Sequence, residues 1–279
     1  MIIAKNLSKN YGSRKALIKT SFSIPKNSRF AIVGENGAGK STFINILSGF
    51  VHKTSGSLNV KSVNLGVMPQ DSKLEDRMTC SGFLNLMCSL SEVSRRNTLK
   101  LLRMVSLEGE ENTKIEKLSH GMRKRLQIAQ ALIGNPEILV FDEPISGLDP
   151  KVGKSIRDLI KEVSKNKTMI YCSHNLNEVE ELCDLVLILS KGRVKKIVKV
   201  SDLNKECKLL AKYSSRPALI NGLKRKKYIK SFSYKDNTLE VIFSNKREES
   251  RILSLLLAPE LISVKRGVSL ESEFLKSSK

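Results

Sequence analysis

The sequence predicts an α/β fold, a mostly parallel sheet covered by helices, with smaller parts attached. Three observations carry this. Compact apolar runs, Ile138 to Phe141, Thr168 to Cys172 and Leu185 to Leu189, are separated by helical segments such as Val152 to Val163. A glycine-rich stretch links an apolar strand to a helix. A length of 279 residues is near the limit of one core, so one large domain with an appendage is expected.

In chain order, Ile2-Ile3 begins one strand, Ala16 to Ile24 alternates loosely, and Phe30-Ala31-Ile32-Val33 is a short buried-type run. Gly34 ends that run. Phe43, Ile44 and Leu47 then recur at helical spacing, and Gly49 stands where a helix C-terminal glycine belongs. Residues 58 to 67 alternate again and suggest a second strand pair. From 71 to 117 Leu, Met and spaced charges replace β-branched runs, as in a small helical subdomain. Beyond about residue 204 the pattern resets. Tyr228 to Phe232 and Leu239 to Phe243 flank the hairpin signal Lys235-Asp236-Asn237, followed by a helical Arg247 to Leu257 and a short final helix near Ser269 to Leu275.

Composition narrows the class. Apolar types at 40% and charged types at 28% exclude disorder, collagen and disulfide scaffolds. No apolar run approaches the ~20 residues of a membrane-spanning helix, and Met1 to Lys5 lead into alternating sequence rather than a signal-peptide core, so a cytoplasmic chain is expected. Five cysteines (80, 88, 172, 183, 207) without a C-x-x-C pair argue for reduced thiols rather than a metal cluster. The net charge of +21 is uneven: residues 191 to 279 hold 22 Lys and Arg against 9 Asp and Glu. Such a surface attracts anions, but a 5% aromatic content without Trp leaves few platforms for stacking nucleic-acid bases, and a solvated basic face is the simpler reading.

Two elements carry chemistry. Gly34-Glu35-Asn36-Gly37-Ala38-Gly39-Lys40-Ser41 fits G-x-x-x-x-G-K-[ST], with the strand before and helix after that the motif requires. Its backbone N–H groups turn inward around a phosphate, Lys40 reaches the β- and γ-phosphates, and Ser41, followed by Thr42, offers a hydroxyl to Mg²⁺. Ile138 to Phe141 runs into Asp142-Glu143. Carboxylates at the C-terminal end of a buried parallel strand face the mouth of the sheet, where Asp142 suits Mg²⁺ and Glu143 an attacking water.

With Leu118-Ser119-His120-Gly121-Met122, these elements make the chain resemble an ABC-family ATPase. The pentapeptide resembles the signature LSGGQ, with His120 and Met122 at its third and fifth positions. Gln70 matches the Q-loop, Ser146-Gly147-Leu148-Asp149 the D-loop and His174 the switch histidine, and Tyr11 lies where the family places an adenine-stacking aromatic. The resemblance implies a P-loop NTPase core with an antiparallel β subdomain and a helical subdomain (about 71–128). Together these span residues 1–204, and a basic α+β extension over 205–279 follows. It implies a head-to-tail dimer, of identical or related chains, that sandwiches ATP. One phosphate loop holds each nucleotide, Ser119 and Gly121 of the partner cap it, and Asp149 lies at the contact. Mg²⁺ falls to Ser41, Gln70 and Asp142, and catalysis to Glu143, His174 and Lys40.

The resemblance also implies an integral membrane permease as partner, which would hold the chain at the inner face of the cell membrane. Phe83, Leu84, Leu86, Met87 and Leu90 are candidates for its docking surface, and Lys224 to Lys227 for headgroup contact. The extension resembles that of export-type bacterial subunits. An importer subunit and a non-transport ATPase acting on ribosomes or DNA are the alternatives, although no nucleic-acid partner is expected.

Overall fold

The computed structural model describes residues 1–61, 64–70, 73–203, 207–223, 226, 228–243 and 248–266. It divides into two compact units, Met1–Ile197 and Val198–Lys279.

The first unit is built on a six-stranded sheet of order β5-β6-β7-β3-β8-β9. Its strands are β3 (Arg29–Val33), β5 (Leu65–Met68), β6 (Ile138–Asp142), β7 (Thr168–Cys172), β8 (Leu185–Ser190) and β9 (Arg193–Lys199). The five from β5 to β8 are parallel. Every residue of β6 and β7 is buried, so these strands read as unbroken apolar runs. A separate antiparallel sheet joins β1 (Ile2–Tyr11), β2 (Arg14–Ile24) and β4 (Ser55–Val60) in the order β2-β1-β4.

Helix α1 (Lys40–Leu47) buries Phe43, Ile44, Ile46 and Leu47 in one core with residues of β1, β2, β3, β6, β7 and β8. Phe22 of β2 meets the Phe43 ring edge-on, with centroids 5.1 Å apart.

The alternating stretch 58–67 is not a strand pair. Val60 ends β4 in the antiparallel sheet and Leu65 begins β5 at the edge of the parallel one. Alternation shows that a segment is half-buried, not which sheet it joins. The helical part comprises α2 (Cys80–Leu90), α3 (Thr98–Met104) and α4 (His120–Ala131). Phe83 and Leu84 are buried, whereas Leu86 and Leu90 are exposed, so the expected docking residues divide between core and surface. Helices α5 (Pro150–Val163) and α6 (Leu176–Leu182) connect the later strands. Cys80, Cys88, Cys172 and Cys183 are buried free thiols.

The second unit opens with α7 (Val200–Leu203). It then follows the order β10 (Cys207–Tyr213), α8 (Ile220–Leu223), β11 (Ile229–Lys235), β12 (Thr238–Phe243), α9 (Glu249–Leu256) and β13 (Leu261–Arg266). Its antiparallel sheet is ordered β11-β12-β10-β13, a split β-α-β arrangement. Asp236 and Asn237, at φ +49° and +58°, form the tight hairpin turn. The hairpin matches the sequence expectation, while β10 and β13 were not anticipated. The final helix expected near 269–275 and all of Lys224 to Lys227 except Lys226 lie outside the described residues.

Candidate functional site

Strand register brings the loops of the site to one edge. Ile32 of β3 and Asp142 of β6 both align with Cys172 of β7, and Met68 of β5 aligns with Phe141. The residues after these strands, Gly34, Pro69-Gln70, Glu143 and Ser173-His174, therefore emerge together at the carboxyl end of the parallel sheet, where ligands bind in open α/β folds.

The phosphate loop is built around close approaches. Gly39 has φ +111°, and a Cβ there would stand 2.6 Å from the Ala16 carbonyl oxygen, so only glycine fits. No side chain caps the start of α1, which leaves its first N–H groups pointing into the loop. The Lys40 ammonium is buried and donates to the Gly34 and Glu35 carbonyls at 2.7 and 3.3 Å, holding the loop in a cradle. Ala38 and Gly39 are buried, while Glu35, Asn36, Gly37 and Ser41 are exposed and Thr42 is half-buried.

Asp142 is buried at the end of β6. Glu143, also buried, takes a left-handed backbone at φ +50°, a conformation costing on the order of 1–3 kcal/mol for a residue with a Cβ. Its N–H donates to the Cys172 carbonyl at 2.9 Å, and the kink turns its carboxylate toward His174. The His174 backbone N–H donates to Glu143 Oε1 at 3.1 Å, and His174 Nδ1 lies 3.0 Å from both carboxylate oxygens. Glu35, Asn36, Gln70, Glu143, Ser146 and His174 line a cavity of about 350 Å³. Burial, and Asp142 beside it, push the Cys172 thiol well above the usual thiol range.

Ser41, Gln70 and Asp142 offer a hydroxyl, an amide and a carboxylate, a set of hard oxygen donors suited to Mg²⁺. Among the described residues no group of three or more His, Cys, Asp or Glu could hold a metal.

The other expected site residues have local roles. Ser119 caps α4, its Oγ accepting from the Met122 N–H at 3.3 Å. A Cβ on Gly121 would stand 2.6 Å from Val152 Cγ1, so α4 packs on α5 through this glycine. The Asp149 carboxylate caps α5, accepting from Lys151 and Val152 N–H at 3.1 and 3.0 Å. Tyr11 is 45% exposed at the end of β1, with the Lys9 ammonium 4.8 Å from its ring centroid. Sequence reasoning passed over Glu178. Its carboxylate accepts from the Tyr171 and Ser173 hydroxyls at 2.8 and 3.1 Å. The available signal was Tyr171 itself, a polar tip in a fully buried strand that requires a partner.

A family model described as "ABC transporter" matches residues 17–146. YxlF of Bacillus subtilis, an ABC transporter ATP-binding protein, is 30% identical over 254 residues, covering 87% of this chain and 86% of that one. The Nod factor export ATP-binding protein I of Rhizobium etli is 31% identical over 237 residues, covering 78% and 75%. Among solved structures, the dimeric post-hydrolysis state of the ATP-binding cassette MJ0796 bound to ADP and Pi aligns with a TM-score of 0.65 at 26% identity, covering 72% of this chain and 99% of that one. With a phosphate loop, a strand-end carboxylate pair and a histidine at one sheet edge, this chain belongs to the ABC transporter ATP-binding proteins and is an ATPase.

Proposed function

We propose that this chain is the engine of an exporter. Two copies, or one copy and a relative, close head to tail over ATP, and hydrolysis drives a separately encoded integral membrane permease that holds the chain at the inner face of the membrane. Residues 1–204 form the ATP-binding domain and 205–279 a separate extension. The YxlF match runs longer than the domain alone and supports an extension shared between relatives. The Rhizobium relative, named a Nod factor export protein, supports the outward direction.

The observation that carries the reading is the Glu143–His174 pair beside the Lys40 cradle. Lys40 and the loop N–H groups hold the β- and γ-phosphates, Tyr11 stacks on the base, and His174 orients the γ-phosphate. Glu143 accepts the proton of the attacking water, so positioning and charge do most of the work. Ser41 and Gln70, with Asp142 behind them, would hold Mg²⁺, which would supply charge neutralisation at the phosphate oxygens. Ser119 and Gly121 of the facing copy cap the γ-phosphate, and Asp149 lies at the contact between copies.

The test is purification of the tagged full-length chain from membranes, followed by reconstitution with the integral protein that accompanies it. The reading predicts a permease that stimulates ATP hydrolysis and moves cargo outward. A complex built on a substrate-capturing receptor, moving cargo inward, overturns the export assignment. Retention on ribosomes or DNA with hydrolysis stimulated by them overturns the transport assignment.

A further inference from the structure

We propose that Glu178 is a positioning residue for hydrolysis: it fixes the loop that bears His174 and, through it, the carboxylate of Glu143. This rests on the roles assigned above to those two residues.

The His174 side chain is 65% exposed, so packing does not hold it. Its place is set by its backbone and by Glu143. The residue before it, Ser173, is 1% exposed and donates its hydroxyl to Glu178 Oε2 at 3.1 Å. The same Ser173 oxygen accepts the Asn175 N–H at 3.0 Å, which ties down the residue after His174 as well. Tyr171, fully buried in β7, donates to the same Oε2 at 2.8 Å and anchors the carboxylate to the sheet. Burial first, and the Glu178 charge second, raise the Tyr171 phenol far above its ordinary range, so it remains a donor.

Another carboxylate of α6 behaves differently. Glu181 takes Arg157 and Lys161 of α5 at 2.8 and 2.6 Å, an ordinary tie between helices. Among the described residues Glu178 has no such cation. Its half-buried charge is met by the two hydroxyls, which lie within three residues of His174. The chain of contacts runs from Glu178 to Ser173, to the His174 N–H, to Glu143 Oε1. A misplacement of about 1 Å in such a constellation costs on the order of 100-fold in rate.

The test measures kcat and KM for ATP on the full-length chain with Mg²⁺. Glu178→Ala is expected to lower kcat roughly 10- to 100-fold with KM within about threefold, whereas Glu178→Gln, which keeps an oxygen for both hydroxyls, stays within about threefold of the parent. Because part of the effect runs through the His174 ring, while the His174 N–H that holds Glu143 survives in alanine, Glu178→Ala is expected to cost clearly less in a His174→Ala background than in the parent, without its cost vanishing. A kcat for Glu178→Ala within twofold of the parent overturns the inference, as does a double variant whose losses multiply. If His174→Ala alone leaves kcat unchanged, the reading beneath the inference fails and takes it down. If Glu178→Ala does not fold, Tyr171→Phe and Ser173→Ala, which each remove one hydroxyl, carry the same cycle.

Discussion

Replacing Glu143 by glutamine is expected to stop turnover while leaving nucleotide binding in place. The side chain is 7% exposed, and glutamine has nearly the same volume, so no cavity opens. The amide oxygen still accepts the His174 N–H, now without charge assistance, at a cost of about 1 kcal/mol. What disappears is the acceptor for the water proton, a loss of roughly 10²- to 10⁴-fold, or about 3–5 kcal/mol in the barrier. Lys40 donates to the Gly34 and Glu35 carbonyls, not to Glu143, and keeps its cradle. ATP affinity therefore stays within about threefold, a shift under ~1 kcal/mol. Phosphate release at saturating ATP and Mg²⁺, with equilibrium dialysis of ATP on the same preparation, separates the two effects. Turnover within threefold of the parent would refute Glu143 as the catalytic carboxylate, and so would a loss of binding in proportion to turnover.

Other outcomes follow from the packing. Gly121→Ala drives a methyl into Val152 and is expected to cost about 1–3 kcal/mol, seen as a lower melting temperature. Val152→Ala in the same chain should return most of it, and an unchanged melting temperature for Gly121→Ala contradicts the contact. Asp149→Ala removes the α5 cap at a cost of about 1 kcal/mol, which Asp149→Asn largely restores; a variant of unchanged stability contradicts the capping role. Tyr213 donates to the Leu256 carbonyl at 2.8 Å, and burial, then Glu260, push its phenol up to about 12. The ordinary value is about 10. Because the folded value is the higher one, the stabilisation is complete below pH 10 and fades as pH rises from about 10 to 12. Tyr213→Phe should flatten that part of the stability profile, and an unaltered slope contradicts the assignment.

The phosphate loop was legible because its signals are local: the apolar run Phe30 to Val33, the glycines, and the helical spacing of Phe43, Ile44 and Leu47 are all contiguous. The carboxylates Asp142 and Glu143 were legible for the same reason, as the strand before them is buried on both faces and reads as one run. Other features depend on contacts between distant segments. Nothing in the sequence separates β4 from β5, since both alternate and only tertiary pairing divides them between sheets. Strand β10, with Leu209-Leu210-Ala211 at its centre, carries little β-branched character, and β13 follows a helix closely enough to be absorbed into its end. Gly121 looked like a backbone contact for a ligand, and the structure adds Val152 as a reason for glycine within the chain. Glu178 was missed because its partners lie on the preceding strand and loop, and no spacing rule connects them.

In the proposed dimer, ATP is bound between the phosphate loop of one copy and the Ser119 segment of another. In a Glu143→Gln background, Asn36→Cys on the exposed phosphate loop and Ser119→Cys at the start of α4 place a thiol on each side of that contact. A disulfide forms only when the two Cα atoms come within about 7 Å. With ATP and Mg²⁺ under mild oxidation, a covalent dimer carrying both cysteines in the link is expected, lost without nucleotide or when either cysteine is omitted. A dimer that forms equally without ATP, or a chain that stays monomeric with nucleotide bound, contradicts it.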